Sequence, residues 1–532
     1  MLNIDRFESL IQEEMQTARV PGVAVAVVLN KEIIYAKGFG VTAVGESGVP
    51  VTAETLFPIA SCTKPLTGTL LMRLVQAGQV ELDVPIRQFL PDFRLRDESA
   101  AERITLRMLL SHQAGFRDGG TFIGRADSAG LADFASEQLS QEELFAPPGK
   151  LYCYSNRNSS LAGYLAERVT GKAFARLMEE ELFIPLGMNS STLDPARAEC
   201  SSVARAHDLR ADGAIVPVEH VLQSAEDAPA LGVLSNVLDM ARFAIMHINE
   251  GQIDGQAYLH PRWVAEMHKP HADLFSGIPS AYGLHFILSY YKDILQVRHF
   301  GGLHSFCSAL VTAPQEQVAV VVLHNRDLDV MKIVNRAFDD LLPAAKELSV
   351  NLLPKPLEID RPPGFYLGEK IGLLEIASEA GSLRLVVQGE SFTMRHVRDE
   401  LYLAVDGEGN EVASVGFIPE AEGPTRYLML NKTPLKRIDY DPAFVLGREQ
   451  LTRYAGTYSH CGVLTLHVTV EGDSLLRFQD HEGSAGLLMA VDHERFVGDD
   501  FPYAEFYFDE EGAVSGLGFQ GGWRFEKVGA TC

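Results

Sequence analysis

Between Gly22 and Phe39, apolar side chains alternate with small or polar ones across a turn at Asn30-Lys31-Glu32. That period of two predicts a β-hairpin feeding an antiparallel sheet. From Lys64 to Gly78 the period lengthens: Leu66, Leu70, Leu71, Leu74 and Val75 share one helical face, and a glycine ends the run. A buried helix is therefore expected to begin near Ser61, just behind a strand at Thr55 to Ile59. A second helix is expected over Ser159 to Val169, before Gly171. Val318 to Leu323 is unbroken, apolar and largely β-branched, the composition of a strand covered on its faces.

The texture changes around Leu353-Pro354-Lys355-Pro356 and Arg361-Pro362-Pro363, where prolines cluster and helical periods stop, which marks a linker. Beyond it, two stretches follow one plan. The first opens Gly364-Phe365-Tyr366-Leu367-Gly368 and the second Gly456-Thr457-Tyr458-Ser459. Gly381 to Leu385 corresponds to Asp473 to Arg477, and Asp399 to Tyr402 to His493 to Phe496. A repeat of about 90 residues made of short strands and turns predicts two small antiparallel barrels. The copies differ where the first has a tight turn at Gln388 to Ser391 and the second a longer, acidic, glycine-rich loop from Asp480 to Gly486. The expected layout is α+β: a domain over residues 1–345, a linker over 346–360, and barrels over 361–440 and 446–532.

Composition narrows the function classes. The chain has 532 residues, too many for one core of about 250–300 residues. Its net charge of −25 repels phosphate backbones and anionic lipid, so neither nucleic acid nor membrane is expected as a partner. The opening MLNIDRFESLIQEEM has no basic and apolar leader pattern, which sets a cytoplasmic location as the expectation. Six cysteines without a Cys-x-x-Cys pair read as reduced thiols, and neither a zinc site nor any cofactor is expected.

Three short patterns carry chemistry. Ser61-Cys62-Thr63-Lys64 stands at the start of the apolar helix, followed by Tyr154-Ser155-Asn156 and then His299-Phe300-Gly301-Gly302. On a helix, positions i and i+3 share a face, so the Lys64 amine can lie beside the Ser61 hydroxyl. No Gly-x-Ser-x-Gly elbow occurs, and no histidine stands where a Ser-His-Asp relay would be obvious.

With its flanks, this set resembles the serine β-lactamase and penicillin-binding-protein superfamily, in particular class C-like esterases and D-aminopeptidases. The flanks are Leu109 to Gly115, Pro148-Gly149, Gly232 to Ser235 and Asp239 to Phe243, and the resemblance covers residues 5–340. It implies a catalytic domain with an antiparallel sheet flanked by helices. A serine hydroxyl needs a base, and here lysine and tyrosine must serve. If Lys64 stays an ammonium, a Tyr154 phenolate takes the Ser61 proton and hands it to the leaving amine; if Lys64 is neutral, it is itself the base. Asn156 is expected to bond Lys64 or a substrate amide. By resemblance, the backbone N–H groups of Ser61 and Gly302 form the oxyanion hole, and Gly301 and Gly302 suit a strand that substrate approaches closely.

His299 stands where many β-lactamases and transpeptidases carry lysine, which weakens the anchor for a substrate carboxylate. The D-aminopeptidases share the three-part layout and send a barrel loop into the active site. Asp480 is therefore the candidate to pair with a substrate α-amino group. His112, His285, His304 and His324 read as structural, and Ser111-His112 has no obvious partner.

These readings converge on a serine hydrolase acting through an acyl-enzyme. It would release N-terminal, D-configured residues from short peptides, amides or esters. A promiscuous carboxylesterase or weak β-lactamase, and a non-catalytic penicillin-binding or scaffold protein, are the alternatives; a homodimer is left open.

Overall fold

The computed structural model describes residues 1–45, 48–117, 129–194, 196, 202–210, 212–218, 224–346, 363–379, 381–420, 424–460, 464–480, 483–498, 502–519 and 523–528. The expected linker beyond residue 346 lies outside the described residues.

The hairpin forms as β1 (Gly22–Leu29) and β2 (Glu32–Gly40). Six later strands complete an antiparallel sheet: β3 (Ala272–Asp273), β4 (Ala281–Tyr282), β5 (Ile287–Tyr291), β6 (Ile294–Leu303), β7 (Phe306–Ala313) and β8 (Val318–His324). The spatial order is β2-β1-β8-β7-β6-β5-β4-β3, so the first and last strands in sequence, β1 and β8, pair with each other inside the sheet. Every residue of β8 is buried, as its continuous apolar composition requires.

Alternation sends the two faces of β1 and β8 into different cores. Val23, Val25, Val27, Val318, Val320 and Val322 meet Phe7 and Ile11 of α1 (Ile4–Ala18) together with Ile333, Val334 and Phe338 of a C-terminal helix (Val330–Leu341). Ala24, Ala26, Val321 and Leu323 face α2 (Thr63–Gln76) and a helix over Val237–Ile248.

Two expectations are corrected. The strand at Thr55 to Ile59 shrinks to Phe57–Pro58, paired with Leu234–Ser235 outside the main sheet. Ile59 instead gives its N–H to Val233 and its carbonyl to the Cys62 N–H, turning the chain toward Ser61. The helix expected from Ser159 begins at Asn156, because the Ser155 hydroxyl caps the Arg157 N–H; its polar first turn carries no apolar period to reveal it.

Both C-terminal units are closed eight-stranded antiparallel barrels, spanning Gly364–Ile438 and Gly456–Lys527. In the strand Tyr427–Leu430 of the first barrel, Leu428 and Leu430 fill the barrel, while Tyr427 and Met429 pack with Ile418 against Ala146, Leu151, Tyr152, Cys153 and Tyr282 of the large domain. The barrel thus rests on the segment that leads into Tyr154. The barrels meet each other through Leu367 and Ile438 against Val491, Val497 and Tyr503. Arg117 of the large domain reaches both, at 2.6 Å from Glu369 and 3.4 Å from Glu505.

Met429 is fully buried in this contact. Met429→Asp would strand a carboxylate there at a cost of several kcal/mol. The expected outcome is release of the first barrel, read as a larger radius of gyration by small-angle scattering, with Met429→Leu unchanged; identical scattering from both variants would show that docking rests elsewhere.

Candidate active site

Ser61 sits in a single turn of 3₁₀-helix, Ala60–Cys62, that leads directly into α2. The residue before it, Ala60, is buried with φ of 46°, a left-handed conformation unusual for a residue with a Cβ. Such placements persist where the surroundings over-determine them. Here the Ile59 carbonyl is fixed by the Cys62 N–H and, at 2.6 Å, by the Ser308 hydroxyl of β7.

Lys64 follows one helical turn later and is completely buried. Its Nζ donates to Asn156 Oδ1 at 2.7 Å, to Ser61 Oγ at 3.0 Å and to the Ala230 carbonyl at 3.1 Å. Tyr154 enters from the other side, its phenol donating to Ser61 Oγ at 2.9 Å. The structure therefore links Tyr154 to Ser61, Ser61 to Lys64 and Lys64 to Asn156 in one chain of hydrogen bonds. Asn156 bonds the lysine, one of the two roles open to it.

The geometry also defines the protonation alternatives. Asn156 Oδ1 and the Ala230 carbonyl can only accept, so they consume two of the amine's protons whatever its charge. In an ammonium the third proton points to Ser61, whose own hydroxyl proton is then free for a Tyr154 phenolate. In a neutral amine the lone pair faces Ser61 and accepts that proton, while the phenol donates to Oγ. The two forms hold equal numbers of protons and are tautomers of one coupled site.

The strand β6 passes beside the serine. A Cβ on Gly301 would fall 2.3 Å from the Ile59 carbonyl and 3.0 Å from the Ser61 nitrogen, so only glycine lets the strand lie against the turn. A Cβ on Gly302 would meet open space, and Gly302 is exposed. Gly301 thus serves internal packing, whereas Gly302 borders the open side.

His299 lies inward, 2% exposed. Its Nδ1–H donates to the Phe300 carbonyl at 2.7 Å, leaving Nε2 to accept from the Tyr282 hydroxyl at 2.9 Å. Burial first, and then the charge of Lys64, push its pKa down to about 3. It is a neutral internal group with both ring nitrogens occupied by protein.

His112, which showed no partner in the sequence, has several. Its Nδ1 accepts from the Ser155 N–H at 3.3 Å and from Asn158 Nδ2 at 3.0 Å, and its ring lies 4.5 Å from that of Tyr154. His285 donates from Nδ1 to the Lys64 carbonyl at 2.8 Å, and its Nε2 accepts from the Ser159 hydroxyl at 3.2 Å. Burial holds both imidazoles far below the usual histidine range, with the neighbouring imidazole and lysine charges adding to it.

The cleft beside Tyr154 is lined by Phe116, Arg117, Phe145 and Cys153 of the large domain. Its opposite wall is Glu369, Lys370, Lys432, Thr433 and Pro434 of the first barrel. Asp480 is not among these lining residues. Its N–H bonds the Ser484 carbonyl, and its Oδ1 accepts from the Ser484 N–H at 2.8 Å, within its own hairpin. Residues 481–482 of that loop lie outside the described residues. Among the described residues, no group of histidine, cysteine or acidic side chains could hold a metal ion.

Two carboxyls absent from the sequence reading lie just ahead of Ala230. Glu226 and Asp227 are each 3% exposed, and Glu226 Oε1 has no hydrogen-bond partner among the described residues. Only their place before the Gly232 to Ser235 pattern could have drawn attention to them.

A serine held by a lysine one turn away and a tyrosine from a distant loop, beside an antiparallel sheet, defines the β-lactamase/transpeptidase-like serine hydrolases. Residues 7–342 match the family described as Beta-lactamase, and the chain belongs to that family. Residues 447–529 match a domain of unknown function, DUF3471. Penicillin-binding protein 4 of Amycolatopsis lactamdurans is 31% identical over 330 residues, which cover 60% of this chain and 84% of that protein. The unguisins hydrolase ungD' of Aspergillus campestris (strain IBT 28561) is 30% identical over 332 residues, 60% of this chain and 61% of that protein. In fold, SurE aligns with a TM-score of 0.64 at 24% identity, covering 82% of this chain and 99% of its own. The octameric penicillin-binding protein homologue from Pyrococcus abyssi aligns at 0.58 and 22%, covering 82% and 100%.

Burial raises the Asp227 carboxyl to about 7, against an ordinary 3.8, while the Ser224 hydroxyl and the Lys64 charge pull the other way. The folded protein then keeps a proton that the unfolded chain releases, so this group's effect is to lower stability as pH rises from about 4 to about 7. Asp227→Asn should melt higher relative to the wild type at pH 8 than at pH 5. An equal difference at the two pH values would refute the assignment.

Proposed function

We propose that this protein is a serine hydrolase that forms an acyl-enzyme on Ser61 and cleaves short peptides, amides or esters. The observation that carries this reading is the approach of both Lys64 Nζ, at 3.0 Å, and Tyr154 Oη, at 2.9 Å, to one serine oxygen. As Ser61 attacks the carbonyl carbon, its proton passes to the Lys64–Tyr154 pair and from there to the departing amine or alcohol. The Ser61 and Gly302 N–H groups stabilise the tetrahedral oxyanion. Water then repeats the sequence to release the acid.

Within this chemistry the leading substrate reading is an aminopeptidase or amidase releasing N-terminal, D-configured residues. Neutral, inward-facing His299 supports it, since β6 offers no cation to a substrate carboxylate at that position. A crystal structure of SurE with D-Leu, a protein of similar fold, places a D-amino acid with that neighbour. Recognition of the α-amino group by Asp480 is part of the same reading.

A second reading follows from Lys432. It lines the Tyr154 cleft, is exposed, and has no ion-pair partner among the described residues. It stands in the left-handed region with φ of 72°, on a turn pinned where the Ser414 N–H donates to Asn431 Oδ1 at 2.9 Å. An exposed cation on the wall of the cleft that Tyr154 lines suits substrates that carry a carboxylate.

The test is turnover of D-alanine p-nitroanilide, its L-isomer, simple p-nitrophenyl esters and carboxylate-bearing amides, with covalent labelling by a fluorophosphonate. Ser61→Ala and Tyr154→Phe should lose acylation by a factor of about 10³ or more. A wild-type protein that neither turns over nor labels is a binding or scaffold protein. Asp480→Arg should raise KM for amine-bearing substrates alone and Lys432→Ala for carboxylate-bearing ones alone; whichever change leaves its class untouched removes that reading.

A further inference from the structure

The segment that carries Tyr154 has no regular structure of its own between Leu151 and the first turn of the helix at Asn156, yet its phenol must stay within hydrogen-bonding distance of Ser61. One residue touches all three positions that fix it. The Cys153 N–H donates to the His112 carbonyl at 2.7 Å, the Ser155 N–H donates to His112 Nδ1 at 3.3 Å, and the His112 and Tyr154 rings lie 4.5 Å apart between them. His112 itself is fully buried with φ of 56°, a left-handed backbone that aims its carbonyl and its side chain at neighbouring points of one segment. Asn158 Nδ2, at 3.0 Å, also donates to Nδ1, so Nδ1 is the acceptor and the proton sits on Nε2.

That Nε2–H has no hydrogen-bond partner among the described residues. The ring is enclosed by Tyr152, Tyr154, Tyr282 and His285, with centroids 4.5 to 5.9 Å away. Leaving a buried donor unbonded costs about 1–3 kcal/mol, more than an apolar ring of similar shape would at that point. A purely structural filler would have no need of it. What phenylalanine could not supply is the Nδ1 acceptor.

We propose that His112 is the positioning residue of the site: its backbone carbonyl and Nδ1 clamp the residues on either side of Tyr154, and its ring sets the plane of the phenol over Ser61. It touches no substrate and moves no proton. This rests on the serine-hydrolase reading only for its kinetic consequence, because the clamp is also observable in the structure itself.

The experiment uses the full chain with His112→Ala, His112→Phe and His112→Asn. Asparagine tolerates the left-handed backbone and puts an acceptor oxygen near the place of Nδ1. Fluorophosphonate labelling is followed as a rate constant and separately as the fraction of protein labelled, well below each variant's melting temperature. Because a misplacement of about 1 Å can cost up to 10²-fold, the alanine and phenylalanine variants should label at least about tenfold more slowly at unchanged half-saturating probe concentration. The asparagine variant should recover to within about threefold of wild type. A loss seen only in the labelled fraction would mean that His112 merely supports folding, and overturns the proposal.

Crystal structures of the alanine and phenylalanine variants decide the matter without activity. Tyr154 Oη should leave hydrogen-bonding distance of Ser61 Oγ. Retention of the 2.9 Å contact in both variants would overturn the clamp, even if the wild type labels. A wild type that does not label, with a displaced phenol in the variants, would remove the enzyme reading and leave the clamp standing.

Discussion

A buried amine must find an acceptor for every proton it carries. Lys64 is sealed from water, and its charged form would cost several kcal/mol without partners. Those partners come from three separate stretches: Ser61 on the 3₁₀ turn that leads into α2, Asn156 at the start of its helix, and the Ala230 carbonyl in a four-residue helix at Ala228–Leu231. Satisfying one side chain therefore draws three elements to a point. The Thr67 hydroxyl ties the same short helix by donating to the Pro229 carbonyl at 2.7 Å.

Around this amine the protein keeps positive charge low. His112, His285 and His299 all lie close to Lys64, and each is buried with one ring nitrogen held as an acceptor, so none readily takes a proton. A second cation within a few ångströms, poorly screened, would destabilise the ammonium and shift the balance between the two tautomers. The carboxyls of Glu226 and Asp227 are pushed toward their neutral forms by the same lack of water.

The first barrel takes part in the site through packing. Met429 and Tyr427 press on the segment before Tyr154, and Lys432 and Thr433 complete the cleft wall. One face of a single hairpin thus supports the phenol, and its tip limits the space beside it. The barrel interiors are filled by their own side chains, including Tyr366 and Tyr402 in the first and Tyr454, Tyr458 and Phe506 in the second.

Much of this was legible in the sequence because it depends on local period or short spacing. The alternation of Gly22 to Phe39, the unbroken apolar run at β8, the twofold barrel plan and the i, i+3 relation of Ser61 to Lys64 are all of that kind. Other features depend on which distant residues meet, and no local pattern encodes that. Asn156 could have bonded substrate or lysine until the fold brought it to Nζ. His299 looked like a weakened anchor, and only Tyr282 and the Phe300 carbonyl show it to be turned inward. His112 had no visible partner because its contacts lie some 40 residues along the chain, beyond the reach of any local pattern. The chain alone supplied the reactive groups and their local geometry. Tertiary packing decided which of them share a desolvated space, and in that space a proton's position is set by its nearest partner.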